Sequence, residues 1–543
     1  MDSRARELIK MGEAGFNARS GLHSLWQDIA EHCYVERADF TSSRTDGSAF
    51  ADHLFGSYPL LARRELGNSF GSVMRPRNAP WFGVHVNDDK LDKGNTERAY
   101  LEYVTQVQTR AMYDPASKLV DATKQADHDV AAFGNAVIWA GLNSDRTGLL
   151  HVNHHLRDCY WTENADRTID AMWRKWNPTA RQLFKLFGDK VSKPVRDALK
   201  TDPEMKVPCY HIVVPTRLYE PEVRPGRRKP PFVCFYVERE SETTLEETPE
   251  GWFPFVVPRW QTISGSQYAR SPATEIVLPD ARTFQVVVRT LREAGEKHVD
   301  PPMVAVADAL RSDIQLYAGG ITIVDIEYDE KTGEALRPVD RNPGAMPIGF
   351  EIAAALREDI RLGFYLDKIT LPNVDPGKYT AYEFQKRIEQ LAREGAPIFE
   401  PIEDNYNAPL CELDFTILKA NGAFGPEDMV PASLRGQDIK FTFRSPFREA
   451  LEQAKAGLFI DGLTRVVMPA AQLDPAQMEN VNLTPGVRDS LTGMGWPAEW
   501  LKPEKAVEAK RAELAKAAEM AAGVQTIGAA GEAMAAMSEM QAA

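Results

Sequence analysis

Apolar residues at helical spacing dominate roughly the first 75 positions of the chain. They recur at near-helical spacing in two runs, which predicts helices. The two runs are Leu8, Met11, Phe16, Leu22, Leu25, Trp26 and Ile29, and then Leu54, Tyr58, Leu61, Leu66 and Phe70. Pro76 and Pro80 end the second run, because proline lacks the amide proton that a helix needs. The stretch 79–86 that follows predicts a short strand.

The pattern then changes between helix and strand. Residues 96–115 and 118–142 predict two further helices, whereas residues 148–176 and 207–262 have the character of strands and turns. Within the last range, the polar stretch 239–250 predicts an exposed turn or loop. The middle of the chain therefore mixes both kinds of element, as α+β proteins do.

Thr179 precedes a short helical run that begins at Ala180. A threonine hydroxyl at this position accepts a hydrogen bond from a first-turn amide, which satisfies a group that the helix leaves unpaired. The sequence therefore predicts a helix start capped by Thr179.

Two long helices enclose an irregular module. The first is predicted over Pro272–Val299 and stops before two consecutive prolines. A Gly- and Pro-rich insert follows at 303–348, with a strand predicted at 321–326. The second helix is predicted over Phe350–Leu366, and a third begins at Thr380. The alanine-rich end of the chain predicts a final helix by its propensity.

Composition narrows the class of protein. The chain has 543 residues, with 64 Lys and Arg against 78 Asp and Glu, which gives a net charge of −14. At about 150 residues per domain, this length predicts three or four domains. The acidic balance argues against a protein that holds nucleic acid tightly through bulk positive charge.

The cysteines and the hydropathy of the chain indicate its cellular compartment. The five cysteines lie far apart, and none forms a CxxC pair: Cys33, Cys159, Cys209, Cys234 and Cys411. This spacing argues against a disulfide framework or a structural zinc site and favours reduced thiols in a cytoplasm. The first residues mix both charge signs with no apolar stretch behind them, so no signal peptide is predicted. No run of about 18 apolar residues predicts a membrane-spanning helix.

Short catalytic motifs are nearly absent. The chain contains no P-loop, no HExxH, no GxGxxG and no kinase signature. One GxSxG occurs at Gly67-Asn68-Ser69-Phe70-Gly71. A nucleophile elbow requires a strand before the serine, whereas the residues before Ser69 are predicted to be helical. A small-residue helix contact is therefore the favoured interpretation, with a serine hydrolase as the alternative.

Histidines and one cysteine form the densest group of possible metal ligands: His151, His154, His155 and Cys159. On a strand, His151 and His155 would share a face while His154 would point away. No carboxylate follows at a recognised spacing. Ordinary strand and turn histidines are favoured over a metal site.

Two groups of cations stand out. The run 224–229 is typical of a solvated loop, with a phosphate or partner contact as the alternative. Arg357, Arg361 and Lys368 fall within about 40° of one another on a helical wheel. They form either a solvated face balanced by nearby acids or a face that lines a passage for a polyanion.

Several separate motifs follow one another between residues 5 and 500. They are Trp26 in an N-terminal helix, the small residues Ala62, Gly67 and Ser69, then Ala79-Pro80-Trp81-Phe82, Pro258-Arg259-Trp260, Tyr268-Ala269-Arg270-Ser271-Pro272, Leu278-Pro279-Asp280, His298-Val299-Asp300-Pro301-Pro302 and Thr380-Ala381-Tyr382-Glu383. In order and spacing this series resembles the portal proteins, or head-to-tail connectors, of short-tailed, podovirus-type bacteriophages. Ala269 stands where the family usually has glycine, which puts the local backbone geometry in question.

The resemblance implies an α+β, mixed multi-domain portal fold with long stem helices and a C-terminal helical barrel, assembled as a ring. It divides the chain as follows: wing 1–270 and 380–460, stem helices 271–299 and 349–366, clip 300–348, tunnel loop 367–379, crown 461–502, and an alanine-rich C-terminal helix or barrel 503–543.

The same resemblance implies a non-enzymatic role without cofactor, metal or membrane contact. Twelve copies would form a homo-dodecamer around a channel for double-stranded DNA at one capsid vertex. The implied partners are the terminase large subunit during packaging, tail adaptor or gatekeeper proteins afterwards, and the major capsid and scaffolding proteins during assembly. The implied location is the portal vertex of the virion, and the host cytoplasm during assembly.

Four cations are the expected DNA-facing residues of the channel: Lys368, Lys378, Arg357 and Arg361. An acidic subunit with few cations at the constriction suits sliding, because each neutralised phosphate adds affinity and hence drag. Two alternatives stay open. One is another ring-forming tail or capsid protein without a channel role, and the other is a serine hydrolase that uses Ser69.

Overall fold

The first helices form where the apolar spacing predicts them. In the computed structural model, α1 spans Ser3–Ala18 and α2 spans Ser20–Cys33. Leu8 and Phe16 of α1 and Trp26 of α2 are buried. Each helix therefore turns its apolar stripe inward and leaves its polar residues in solvent, which is the arrangement that its 3.6-residue period dictates.

The structure describes residues 3–43, 45, 47, 51, 53–77, 80–88, 91, 95–218, 229–305, 310–314, 323, 336–338, 345–369, 381–444, 457–493, 496, 500, 502, 506–507, 509–514 and 516–517. The chain divides into two units. Unit 1 comprises residues 1–73, 115–374 and 397–413, and unit 2 comprises residues 74–114, 375–396 and 414–543. The strand predicted at 321–326 lies outside the described residues apart from position 323, and the basic run 224–229 lies outside them apart from Lys229.

Further α-helices follow along the chain: α3 (Tyr58–Ser69), α4 (Asn95–Met112), α5 (Leu119–Phe133), α6 (Ala180–Phe187), α7 (Lys193–Thr201), α8 (Leu278–Val299), α9 (Ala345–Gly363), α10 (Leu366–Ile369), α11 (Ala381–Ile402), α12 (Ala408–Ala420), α13 (Met468–Leu473) and α14 (Leu483–Gly493). The predicted cap of α6 is confirmed. Thr179 Oγ1 accepts a hydrogen bond from Gln182 N at 3.3 Å, and Thr179 N donates to Gln182 Oε1 at 3.0 Å. This is a reciprocal capping box.

The strands are β1 (Phe82–Val86), β2 (Val137–Leu142), β3 (Leu149–His154), β4 (Cys159–Glu163), β5 (Ile169–Trp176), β6 (Cys209–Pro215), β7 (Phe232–Glu238), β8 (Thr243–Glu250), β9 (Phe255–Val256), β10 (Met303–Ala305), β11 (Leu336–Pro338) and β12 (Ile439–Phe443). Unit 1 holds a five-stranded antiparallel sheet in the order β4-β5-β6-β7-β8 and a three-stranded sheet in the order β3-β2-β9. β10 pairs with β11, and β1 pairs with β12.

Helices cover both faces of the five-stranded sheet. Trp173, Ile212 and Phe235 are aligned across β5, β6 and β7 and belong to a buried cluster with α1. On the opposite face, Cys209 and Leu245 are buried with apolar residues of α6 and α7. The alternation of side chains along each strand supplies both surfaces, so the sheet is the middle layer of a three-layer core.

Unit 2 contains the strand that the sequence predicts around its Pro-Trp-Phe motif. Trp81 is buried and stacks on Phe443, and its indole Nε1 donates to the Tyr113 hydroxyl at 2.9 Å. Val84 N donates to Thr105 Oγ1 of α4 at 3.0 Å. The motif is therefore a packing anchor within this unit.

The prediction of one helix over 118–142 is wrong. α5 ends at Phe133, and the chain continues as strand β2 from Val137. Gly134 adopts a left-handed conformation with φ of 72° and closes the helix. A Cβ on this glycine would lie 2.3 Å from the Arg270 carbonyl carbon, so only glycine fits the turn.

The prediction of a loop at 239–250 is also wrong in part, because Thr243–Glu250 forms β8. β8 is an edge strand, and Leu245 is its only fully buried residue among the described positions. Polar residues and a proline are tolerated on an edge, where one row of backbone groups faces away from the sheet. The strand therefore lacks the apolar alternation that would have predicted it.

All five cysteines are buried, and none of them forms a disulfide. Among the described helices, none combines the length and the apolar character that crossing a bilayer requires.

Candidate functional site

The residues of the Tyr268–Pro272 motif form a buried joint at the start of the long helix α8. Asn135 Nδ2 donates to Ala269 O at 2.8 Å, and Ala269 N donates back to Asn135 Oδ1 at 2.9 Å. Ser271 Oγ donates to Ala132 O at 2.6 Å. These bonds tie the chain just before α8 to the end of α5, so they fix the position from which α8 departs.

The structure explains the residue types at two motif positions, 269 and 260. Ala269 is buried and does not have a positive φ, so its backbone conformation is one that a residue with a Cβ adopts freely. Trp260 is buried, donates from Nε1 to Ile398 O at 2.9 Å, and contacts Phe70 edge to face. The departure from glycine at Ala269 therefore leaves the joint intact.

The helices α8 and α9 form an antiparallel hairpin. A Cβ on Gly349 would lie 2.5 Å from Leu291 Cδ2, and one on Gly363 would lie 2.7 Å from Val277 Cγ2. Gly363 lies fourteen residues after Gly349, whereas its neighbour Val277 lies fourteen residues before Leu291. The two helices therefore run in opposite directions, and these pairs define their register. The two glycines allow the helices to approach where a side chain would hold them apart.

One end of this hairpin is fixed to the body of unit 1. Phe284 is buried, and Gln285 Oε1 accepts hydrogen bonds from Phe55 N at 2.8 Å and Gly56 N at 2.9 Å. Gln285 Nε2 donates to Gly56 O at 2.8 Å. A buried glutamine with three backbone partners holds α8 in place, because breaking the set would leave buried amide groups unpaired.

The other end of the hairpin carries apolar side chains in solvent. We call these residues the distal apolar surface: Val299, Ile348, Phe350 and Ile352, with exposed fractions of 87%, 59%, 58% and 47%. Single exposed apolar residues are common, and the fixed end of the hairpin also exposes Ile276 and Leu362, but four such residues lie along its distal half.

Charge on the hairpin is balanced. Helices α8 and α9 together hold six Lys and Arg and six Asp and Glu. Arg282 pairs with Asp28, and Arg289 Nε donates to Glu293 Oε1 at 2.8 Å. The hairpin therefore presents a nearly neutral surface, although the chain as a whole is acidic.

The structure separates the predicted DNA-facing cations. Arg357 lies on α9 with its guanidinium 5.7 Å from the centre of the Phe284 ring. Arg361, one turn later, donates to both carboxylate oxygens of Glu358 at 2.8 and 2.7 Å, and this hydrogen bonding raises its pKa. Lys378 lies outside the described residues.

Lys368 is not in line with the two arginines, so the predicted common helical face is wrong. α9 ends at Gly363, and Tyr365 adopts a left-handed backbone with φ of 56° before α10 begins. The wheel angle assumed an unbroken helix. Lys368 lies on α10 with Nζ 3.5 Å from a carboxylate oxygen of Asp367. The start of the predicted tunnel loop is therefore helical.

Ser69 does not occupy a nucleophile elbow. It is the last residue of α3 and is followed by a π-helical turn at Phe70–Met74. The side chain is buried, and its hydroxyl donates to Leu66 O at 2.6 Å. The small residue Gly67 makes a close helix contact, since a Cβ there would lie 2.2 Å from His128 Nδ1. These contacts match the favoured small-residue interpretation of the motif.

The three histidines contact three different partners. His151 Nδ1 lies 3.1 Å from Ser117 O, His154 contacts Arg174, and His155 Nε2 lies 2.7 Å from Asp39 Oδ1. Burial and the nearby Arg174 lower the pKa of His154 to about 3. Within the described residues, no group of three or more His, Cys, Asp or Glu is arranged to hold a metal ion.

Sequence reasoning missed the residues that build the hairpin. Gln285, Gly349 and Gly363 have no motif of their own, and their partners lie elsewhere in the chain. A weak signal was available, because glycine lowers the stability of a helix and its presence at two positions of a long one calls for a packing reason.

The described structure is thus a mixed helix-and-sheet protein whose long helical hairpin exposes apolar side chains. Comparison with known proteins agrees: the family described as bacteriophage head to tail connecting protein matches residues 5–501. The chain belongs to this family, which confirms the resemblance drawn from its motifs. Such proteins connect the head of the particle to its tail.

Two curated relatives are similar over most of their length. The chain is 24% identical to the probable portal protein of Bordetella phage BPP-1 over 83% of this chain and 79% of the relative. It is 22% identical to the portal protein of Salmonella phage epsilon15 over 99% of this chain and 96% of the relative. A solved chain from the neck of an empty GTA particle is 10% identical to this chain. The match covers 76% of this chain and 87% of the solved chain, with a TM-score of 0.32.

Proposed function

We propose that this chain is a portal: twelve copies form a ring around a channel through which double-stranded DNA enters and leaves the capsid. The observation that carries the proposal is the α8–α9 hairpin, fixed to unit 1 at one end and apolar on its surface at the other. Two relatives that bear the name portal protein support it.

The distal apolar surface supplies the contact between copies. A closed ring needs two different patches on each subunit that meet those of the neighbours on either side. Four apolar side chains that are about half exposed or more gain roughly 1 to 2 kcal/mol each when a neighbour covers them. Repeated around a ring, such contacts favour assembly over an isolated subunit.

The balanced charge of the hairpin suits a passage for DNA. A strongly basic wall would bind each phosphate and hold the duplex, and a strongly acidic one would repel it. With six charges of each sign on the two helices, net attraction to the duplex is small. We propose that Arg357, Arg361, Lys368 and Lys378 face the DNA, so that a few cations guide it without stopping it.

The remaining roles follow from the same proposal. The division into wing, stem, clip, tunnel loop, crown and C-terminal barrel applies as the resemblance implies, with the terminase large subunit bound during packaging and tail adaptor proteins bound later. Major capsid and scaffolding proteins surround the ring at the portal vertex, and assembly takes place in the host cytoplasm. The chain acts as a conduit and not as an enzyme.

Assembly is tested by placing a charge in the distal apolar surface. The wild-type chain of 60.7 kDa is expected to give particles of about 730 kDa by mass photometry, the mass of a twelve-membered ring. Phe350→Asp is expected to remain folded and to shift the population to the single subunit. Leu186→Asp, at a residue of similar exposure on α6, is the matched control and should leave the ring intact.

One result would contradict the proposed contact, and another would contradict the portal. Phe350→Asp that assembles as well as Leu186→Asp would remove the proposed contact. A ring imaged by cryo-electron microscopy with a bore narrower than a DNA duplex, about 20 Å, would favour another ring-forming tail or capsid protein.

The DNA-facing assignment has its own test: Lys368→Glu with Lys378→Glu should reduce DNA packaging while the ring still forms. Unchanged packaging would refute it.

A further inference from the structure

Asp170, at the start of β5, carries a buried carboxylate that uses only part of its hydrogen-bonding capacity. The residue is 8% exposed, and Arg217 Nη2 donates to its Oδ2. Among the described residues this is the only hydrogen bond or ion pair of the carboxylate, and Oδ1 keeps some access to solvent. A carboxylate accepts two parallel hydrogen bonds from a guanidinium, so one oxygen of Asp170 is available.

The partner of this carboxylate is loosely held. The Arg217 side chain is 62% exposed, and its one contact with Asp170 is its only hydrogen bond or ion pair within the described residues. An ion pair with one half in solvent is worth little, because water competes for the guanidinium. Arg217 can therefore leave Asp170 at a small cost in free energy, provided that another cation takes its place.

A pocket of about 540 Å³ lies beside this pair, at the end of the five-stranded sheet where β5 begins and β6 ends. Asp170 is the only carboxylate among the described residues that line it, and the apolar part of the lining consists of Ile169, Pro215, Pro231 and Phe232. This volume lies within the range of pockets that enclose small ligands, so it admits one long side chain.

Hydrogen bonds hold two sides of the pocket in place. On one side, Asn164 Oδ1 accepts from Asp166 N at 2.8 Å and from Thr168 N at 3.1 Å, which fixes the turn between β4 and β5. On the other side, Thr216 N donates to Pro231 O at 2.9 Å. Because these segments are already ordered, a ligand would lose little affinity to the ordering of the protein.

The lining fits a guanidinium on an aliphatic stem. An arginine packs its methylene groups against apolar surface while its head group stays with polar partners. A guanidinium that enters from outside could donate to both oxygens of Asp170, whereas Arg217 reaches only one, and such paired hydrogen bonds are the stronger kind. Lys229 also lines the pocket, and it already has an interaction partner.

We propose that this pocket binds an arginine side chain of another protein molecule, which displaces Arg217 and forms a doubly hydrogen-bonded ion pair with Asp170. Arg217 is then a placeholder that prevents the buried carboxylate from being left unpaired. Two sources supply the same group: a second copy of this chain, which carries 64 Lys and Arg, or a different protein. The first source rests on the proposed ring, whereas the pocket does not.

Charge variants and a filled pocket provide the test. Arg217→Gln removes the placeholder, and Asp170→Asn removes the charge that the ligand needs. Arg181→Gln is the matched control, because its ion pair with Glu204 lies outside the pocket lining, with side chains 70% and 59% exposed.

Thr168→Trp fills the pocket from an exposed position, so it disturbs little packing. Its matched control is Thr201→Trp, at an exposed threonine that ends α7 and does not line the pocket. If Asp170→Asn fails to fold, Thr168→Trp still decides whether the pocket is the binding site.

The measurement is calorimetric titration of the full chain with Nα-acetylarginine amide, and with Nα-acetylcitrulline amide as an uncharged ligand of nearly the same shape. On the single subunit, Arg217→Gln should bind one arginine ligand per chain and no citrulline ligand. Wild type and Arg181→Gln should bind at least tenfold more weakly, because Arg217 competes from within the same chain. Added to Arg217→Gln, Asp170→Asn and Thr168→Trp should abolish binding, and Thr201→Trp should not.

Two results on the single subunit would overturn the proposal. Absence of saturable binding to Arg217→Gln, or equal binding to its Thr168→Trp combination, would remove the site. Equal affinity of wild type and Arg217→Gln would remove the placeholder role.

Gel filtration of the same samples separates the two sources. A ring that binds the arginine ligand has an open pocket, which assigns the arginine to a different protein. A ring that does not bind it, together with Asp170→Asn that folds but stays a single subunit, assigns the arginine to a second copy. A ring that neither binds the ligand nor needs Asp170 overturns the site. Failure of wild type to form any ring contradicts the portal proposal and leaves the titration as an independent result.

Discussion

The buried ion pair between Arg37 and Asp129 makes the sharpest stability prediction. Arg37 Nε donates to Asp129 Oδ1 at 3.1 Å and Nη2 donates to Oδ2 at 3.0 Å, while Asn153 Nδ2 donates to Oδ2 at 2.8 Å. The Asp129 side chain is 2% exposed and that of Arg37 is 20% exposed. The pair ties the segment after α2 to α5 and β3. Asp129→Ala would leave a mostly buried guanidinium without its counter-ion.

The expected loss is about 3–5 kcal/mol, the usual cost of removing one partner of a buried pair. For a unit of about 350 residues, this corresponds to a decrease in melting temperature of about 4–7 °C. Differential scanning fluorimetry and urea titration of the full chain measure both quantities. Asp129→Asn, which keeps the shape and part of the hydrogen bonding, should lose less than Asp129→Ala.

Two controls separate the buried charge from a general weakening of the fold. Arg37→Met combined with Asp129→Leu removes both charges and should recover much of the lost stability. Glu293→Ala breaks the exposed pair with Arg289, whose side chains are 60% and 48% exposed, and should cost about 0.5 kcal/mol or less. If Asp129→Ala is no more harmful than Glu293→Ala, the reasoning from burial is refuted.

Three further variants probe single contacts. Ser69→Ala removes the hydrogen bond to Leu66 O and should lower the free energy of unfolding by about 1 kcal/mol in urea titrations. Turnover of a chromogenic ester should not change. A fall in turnover would support the alternative of a serine hydrolase. Thr179→Ala should lower stability by about 1 kcal/mol, and Thr179→Ser should restore it in circular dichroism melts. Because burial beside Arg174 lowers the pKa of His154 to about 3 from 6.5, the unfolded chain binds a proton that the folded chain does not, and stability falls as pH drops from 6.5 towards 3. His154→Gln should flatten that slope by up to about 1.4 kcal/mol per pH unit, and an unchanged slope in denaturant titrations at several pH values would contradict this.

Local features were predictable where the interacting residues are close in the chain. The capping box joins Thr179 and Gln182, which are three positions apart, so residue type and spacing alone identify it. The end of α5 carried a similar signal in Gly134, which the prediction of a helix over 118–142 passed over. That glycine marks the boundary between the helix and β2.

Features that depend on distant packing were not predictable. β8 is a strand because β7 offers it hydrogen-bonding partners, and its own polar residues give no alternation. The grouping of Lys368 with Arg357 and Arg361 failed for a related reason. The left-handed conformation of Tyr365 interrupts the helix, and nothing in the residue type of a tyrosine predicts it.

The amino-acid sequence by itself determined the helical runs, most of the strands, the cap of α6 and, through the order of its motifs, membership of the head-to-tail connecting family. Only the tertiary structure decided that Leu291 faces Gly349, that Asp129 neutralises Arg37, and that Gln285 accepts from Phe55 N. The physical reason is the distance along the chain over which each interaction acts. Periodicity and capping act within a few residues, whereas these contacts join residues that only the folded chain brings together.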